Sequence, residues 1–172
     1  MANDKDILVE NLKETLKGAQ TYLLAGYGTA IFLLLLAMQG KLAAGAKEED
    51  MSIPFVGLSA PTFTAAVVAL AICFLSPFVV LIFLRHSKDI QKELVDVDSK
   101  KLLNAVLTYP SLLTTRSKFS VVLAAGPGLL LACALLLSFY SSHGFTKAAI
   151  TGVLFAVPYL ILARCVWVER AR

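Results

Sequence analysis

Aspartate, glutamate, lysine and histidine are all absent from four long stretches of this 172-residue sequence, residues 19–38, 63–84, 119–140 and 148–168. Without an acid or base in these stretches there is no proton relay, no carboxylate to couple an ion, and no intramembrane catalytic pair. Without histidine there is no evident axial ligand for haem. His86 and His143, the only two histidines, fall on opposite sides of the third stretch. Cysteine is scarce, and Cys73, Cys133 and Cys165 have neither CxxC nor Cys/His spacing, which argues against a zinc site or a disulfide framework. They read as small apolar packing residues. The expectation is therefore a protein that is not an enzyme and holds no cofactor or metal.

Charge is also scarce overall. Charged residues make up 16% of the chain against 58% hydrophobic residues, with a mean hydropathy of +0.74. A soluble domain of this size needs more polar surface, so the bilayer is the expected solvent. Spanning about 30 Å of hydrocarbon takes roughly 20 apolar residues at about 1.5 Å each, and in lipid only a helix satisfies its own backbone. The four stretches meet this length. Arg164 is the single formal charge inside them and lies close enough to an end to reach the interface. The predicted fold is all-α: one polytopic domain over residues 1–172 with four transmembrane helices in a bundle and short amphipathic cytoplasmic helices.

Lysine and arginine divide unevenly among the segments between spans: three before residue 19, two in 39–62, seven in 85–118, one in 141–147, and three at the C-terminal end, counting Arg164. This 13 to 3 split predicts that 1–18, 85–118 and 169–172 are cytoplasmic and that 39–62 and 141–147 are external. A bacterial inner membrane is the expected location. Ala44-Gly45-Ala46 matches a signal-peptidase pattern, but acidic residues before the first span and its long apolar core argue against cleavage.

The segment 1–18 places Ile7, Leu8, Leu12 and Leu16 at helical spacing, predicting an amphipathic arm that either continues into the first span or bends at Gly18. In 85–118, Ser87 is expected to cap a helix carrying Ile90, Leu94 and Val97. Ser99 is expected to cap a second, carrying Leu102, Leu103, Val106 and Leu107, which Pro110 ends. The external stretch SIPFVGLSAP is expected to be a short extended segment at the outer surface or over the end of the bundle.

Two regularities lie inside the spans. Small residues recur every four positions, at Ala65, Ala69 and Cys73, at Ala124, Gly128 and Ala132, and at Ala148, Gly152 and Ala156, which suits close helix packing within the chain or between subunits of a homo-oligomer. Pro77, Pro127 and Pro158 fall at similar depths, with Gly26 and Gly28 at a comparable level of the first span. Each proline frees the carbonyl four residues earlier, at Cys73, Leu123 and Leu154. The candidate hinge is this layer, where helices would splay to open a pocket or gate.

The basic collar of 85–118 is expected to hold anionic headgroups of membrane lipids, with nucleic acid excluded as a partner. The candidate docking surface for a cytoplasmic protein combines Ile90, Leu94, Leu103 and Leu107 with Arg85, Lys100 and Lys101. Small multidrug exporters carry a glutamate in the first span, where this chain reads LLAGYGTAIFLLLL, and tetraspanins carry a CCG motif in an outer loop that here has no cysteine. In its four-pass architecture alone, the chain is similar to the membrane subunits of some bacterial anti-phage defence systems, Kiwa among them. That resemblance implies a membrane component working with a cytosolic one. The expected function is a non-enzymatic scaffold that oligomerises and docks or regulates a cytoplasmic partner. The alternative is a homo-oligomeric pore or membrane-perturbing effector.

Overall fold

The structure, a computed structural model, describes residues 2–42, 47–52, 57, 59–96, 119–143 and 145–170. In chain order these form α1 (Ala2–Met38), β1 (Asp50–Ser52), β2 (Ser59–Pro61), α2 (Thr62–Asp96), α3 (Phe119–His143) and α4 (Phe145–Arg170). All four helices are long and apolar enough to cross a membrane.

The first helix runs unbroken through Gly18, Gly26 and Gly28. Gly18 makes room rather than a bend: a Cβ there would come within 3.0 Å of the Phe83 ring, which stacks on Tyr22 at 5.8 Å. The helix ends where Gly40 adopts φ +69°, a left-handed conformation that glycine takes without strain. There the Lys41 amide bonds to the Leu36 carbonyl and the Gly40 amide to that of Ala37, which satisfies two carbonyls the helix end would otherwise leave open. The connection to α2 contains two short antiparallel strands with Asp50 opposite Pro61; of the expected extended stretch 52–61, Ser52 and Ser59–Pro61 lie in them, and residues 53–56 and 58 lie outside the described residues. Thr62 ties it to α2: its hydroxyl donates to the Glu49 carbonyl at 2.9 Å and accepts from the Glu49 amide at 3.2 Å.

The helix predicted to begin at Ser87 is instead the continuation of α2, which extends to Asp96. Ser87 lies within it, and its hydroxyl donates back to the Leu84 carbonyl at 2.8 Å, leaving no cap to form. The helix predicted from Ser99 lies outside the described residues.

Helix α1 packs along α2 and α3, while α4 packs along α3 and more lightly on α2. Two apolar clusters fill the space between them. One, toward the hairpin end, includes Ala30, Leu33, Leu36, Ala69 and Leu131; the other includes Ala19, Leu23, Val80, Leu84 and Leu162. Past Ala19 and Leu84, at the end of the molecule where α3 begins and α4 finishes, α1 and α2 continue together. This two-helix stalk has its own core of Leu12, Leu16, Ile90 and Leu94. Its outer faces carry Glu10, Lys13, Glu14, Lys17, Arg85, Lys92 and Glu93, all exposed.

Candidate functional site: a polar layer at the proline turns

A helix interrupted by proline has one carbonyl without its usual amide, and in hydrocarbon an unmet carbonyl costs several kcal/mol. Some neighbouring group must then donate. At two of the three prolines that donor is a tyrosine from another helix.

Pro77 frees the Cys73 carbonyl. The hydroxyl of Tyr159, on α4, donates to it at 2.5 Å and lies 2.7 Å from the Ser76 Oγ. Ser76 also lies 3.1 Å from the same carbonyl, so its single proton serves either the tyrosine oxygen or the freed backbone group. The Cys73 thiol points the other way, 3.7 Å from the Gly26 carbonyl of α1 and 3.5 Å from the Tyr159 oxygen. Gly26 is needed for this approach: a Cβ there would fall 2.6 Å from the Ser76 Oγ and 2.7 Å from the Tyr159 oxygen. Thr29, fully buried one turn along, turns its hydroxyl to the Ala25 carbonyl at 2.8 Å, within the same layer.

Pro127 frees the Leu123 carbonyl, and here the donor is Tyr27 of α1 at 2.7 Å. A Cβ on Gly126 would collide with that hydroxyl, and one on Gly128 would come 2.7 Å from the Cβ of Tyr159. Pro158 differs. Its freed carbonyl belongs to Leu154, whose side chain is 63% exposed on the outer face of α4, and among the described residues no side chain donates to it.

The residues flanking the three prolines therefore meet: Ser76 beside Pro77, Gly128 beside Pro127, and Tyr159 beside Pro158. All four helices contribute to one level of the protein, joined by hydroxyl, thiol and backbone groups without a formal charge. Every buried side-chain oxygen or nitrogen among the described residues has a hydrogen-bond partner. No cluster of His, Cys, Asp and Glu among them is placed to hold a metal.

The candidate hinge residues thus lie in or beside a hydrogen-bonded layer. Pro77, Pro127, Pro158 and Gly26 are buried and Gly28 is half-buried. The small-residue stripes face into the chain. Ala65, Ala69, Cys73, Ala124 and Ala148 are fully buried, Gly128 and Ala156 are buried, and Gly152 lies with its Cα face on half-buried Ala132, 3.2 Å from that residue's carbonyl for an added Cβ. Helix-to-helix packing inside one chain uses these surfaces.

Of the candidate docking residues, Ile90 and Leu94 are buried, at 6% and 0% exposure, against Leu12 and Leu16. The apolar contact expected with a partner or with the membrane surface is made by the chain's own first helix. Arg85 is exposed. Leu103, Leu107, Lys100 and Lys101 lie outside the described residues. Thr29, Ser76, Tyr159, Tyr27 and Gly126 form no motif in the sequence, and only the structure brings them together.

If Tyr27 is present to serve the Pro127 turn, its hydroxyl becomes redundant once residue 127 has an amide. Tyr27→Phe is expected to lower stability by about 1–2 kcal/mol. In a Pro127→Ala background the same change is expected to cost less than half as much, because the new amide reaches the Leu123 carbonyl. Unfolding in detergent, followed over the four proteins, measures this coupling, and equal costs in both backgrounds would refute the pairing.

No family profile, curated protein or solved structure matches this chain.

Proposed function

We propose that this chain is a non-enzymatic membrane scaffold, anchored by its four helices and offering the α1–α2 stalk to a soluble partner. The observation that carries the reading is the stalk itself. Two helices leave the apolar part of the molecule as an internally packed pair, with charged side chains outward and, among the described residues, Ile7 the one large apolar side chain exposed. A surface of this kind suits a partner recognised by complementary charge more than one recognised by a greasy groove. The stalk and both termini are taken as cytoplasmic, on the uneven Lys and Arg distribution, and the membrane as a bacterial inner membrane. The four helices are read as one bundle, and self-association, if it accompanies the function, uses apolar outer faces such as that of Phe63, Val67 and Ile82. The setting proposed, on architecture alone, is a defence complex of the kind in which four-pass subunits work with a cytosolic component.

The pore reading has less support because the buried hydroxyls bond to one another and to backbone, which leaves them unavailable to line a water path. A purification in mild detergent separates the two. A soluble protein should co-purify with the wild type and with Lys147→Glu, at the other end of the molecule, and should be lost from Glu10→Lys/Glu14→Lys/Glu93→Lys. Ion flux from the pure protein in liposomes, with capture indifferent to the stalk charges, would overturn the scaffold in favour of the pore.

A further inference from the structure

The pair α1–α2 meets the pair α3–α4 along two seams, α1 on α3 and α2 on α4, and the second is much the lighter. From the strand end it runs from the rings of Phe74 and Phe155, in edge contact at 5.5 Å, to the Tyr159 hydroxyl on Ser76 and the Cys73 carbonyl. Just beyond, the two helices part. A groove of about 470 Å³ lies there, with Leu81, Leu84 and Arg85 of α2 on one side and Cys165 of α4 on the other. Pro77 and Pro158 stand at the level of the hydroxyl contact, one in each helix of the seam, where a helix can bend. Beyond Pro77, α2 is held on α1 by the core of Leu12, Leu16, Ile90 and Leu94. The part left with freedom to move is α4 beyond Pro158, residues 159–170.

We propose that this segment of α4 swings away from α2 and opens the seam to lipid from the groove end, with the Tyr159 hydroxyl as its latch and Ser76 as the group that eases release. Opening parts Leu162 and Val166 from the apolar cluster they share with Val80 and Leu84. In a bilayer that exchange of helix contacts for lipid contacts carries no hydrophobic penalty, so the polar contact weighs heavily in closure. That contact has a substitute at hand. In the closed form Tyr159 donates to the Cys73 carbonyl, and Ser76 can donate to the tyrosine oxygen. In the open form Ser76 turns its one proton to the same carbonyl, 3.1 Å away, and the backbone stays satisfied. Where α2 has Ser76 before its proline, α3 has Gly126 and α4 has Val157, which have no hydroxyl to offer. The α1–α3 seam, closed by Tyr27 on the Leu123 carbonyl, therefore stays shut while the other opens. The inference rests on the chain crossing a bilayer and is independent of which side the stalk occupies and of the partner proposed above.

Pulsed electron spin resonance distances in lipid nanodiscs test this on the full chain with Cys73, Cys133 and Cys165 replaced by alanine. One spin-label pair, Ile82→Cys with Ile161→Cys, reads the α2–α4 seam, and another, Leu24→Cys with Val122→Cys, reads α1–α3; all four positions are exposed. The first pair is expected to show a main distance and a longer minor one, and the second a single distance. Tyr159→Phe should raise the longer fraction about 5-fold, the weight of one hydroxyl contact. Ser76→Ala should lower it by about the same factor, because release would then leave the Cys73 carbonyl unmet. The opposite signs distinguish a latch and its substitute from two groups that merely hold the helices together. A longer fraction that grows in Ser76→Ala would overturn the proposal. So would its absence from Tyr159→Phe, or its appearance in both pairs together, which would mean a loosening of all four helices.

Discussion

Tyr159→Ala is expected to lower stability by on the order of 3–5 kcal/mol, the largest loss from any single truncation in the protein. Tyr159 is the largest fully buried side chain among the described residues, and it joins three helices: its hydroxyl serves the Cys73 carbonyl of α2, its ring rests on Gly128 of α3, and its oxygen approaches Gly26 of α1. Alanine would remove the hydroxyl and leave a void between all of them. Tyr159→Phe separates the two contributions. It keeps the ring and loses only the hydroxyl, and Ser76 remains 3.1 Å from the carbonyl as a replacement donor, so a loss of about 1 kcal/mol is expected. Unfolding in detergent micelles gives the difference between the two variants, and maleimide labelling of Cys73, fully buried in the wild type, gives a local reading. If alanine and phenylalanine cost the same, or Cys73 stays unreactive in Tyr159→Ala, then Tyr159 does not hold the layer together.

The second large effect is expected at Gly128. A Cβ there would lie 2.7 Å from the Cβ of Tyr159 and 3.0 Å from the first ring carbon, close to the α4 backbone, where no rotation of a side chain relieves it. Gly128→Ala must therefore move α3 from α4, at a cost of about 2 kcal/mol, and Gly128→Val about 3 kcal/mol. Gly152 supplies the comparison on the same helix pair. Its added Cβ would stop 3.2 Å from the Ala132 carbonyl oxygen, and alanine returns up to about 1 kcal/mol of helix propensity, so Gly152→Ala is expected near neutral. A Gly128→Ala protein as stable as the wild type would show that the two helices do not approach as closely as described.

Some of this was legible in the sequence. The spans followed from apolar length, and the small-residue stripes are visible in the spacing. The common depth of Pro77, Pro127 and Pro158 is visible in the spacing, and so is the identity of each freed carbonyl. The donors were not. Which way Tyr27 or Tyr159 points depends on the rotation of each helix about its axis, and in a membrane both the lipid-facing and the inward surfaces are apolar, so hydropathy carries little information about rotation. The stalk shows a different failure. Two amphipathic stripes, Leu12 with Leu16 and Ile90 with Leu94, are visible separately in the sequence, and the second is expected there to meet a partner. They lie at equivalent distances beyond two adjacent spans, and each is the nearest apolar face for the other to cover.

The two tyrosine contacts also have an order in time. Tyr27 is synthesised 96 residues before the Leu123 carbonyl it serves, so the Pro127 turn finds its donor already in the membrane when α3 arrives. The Pro77 turn has the opposite history. Its donor is Tyr159, 86 residues later, and at a ribosomal rate of about 5–20 residues per second α2 waits roughly 4–17 s for it. During that interval Ser76, one residue before the proline, is the donor at hand. Its hydroxyl, 3.1 Å from the Cys73 carbonyl, is close enough to meet that group before the rest of the layer is made.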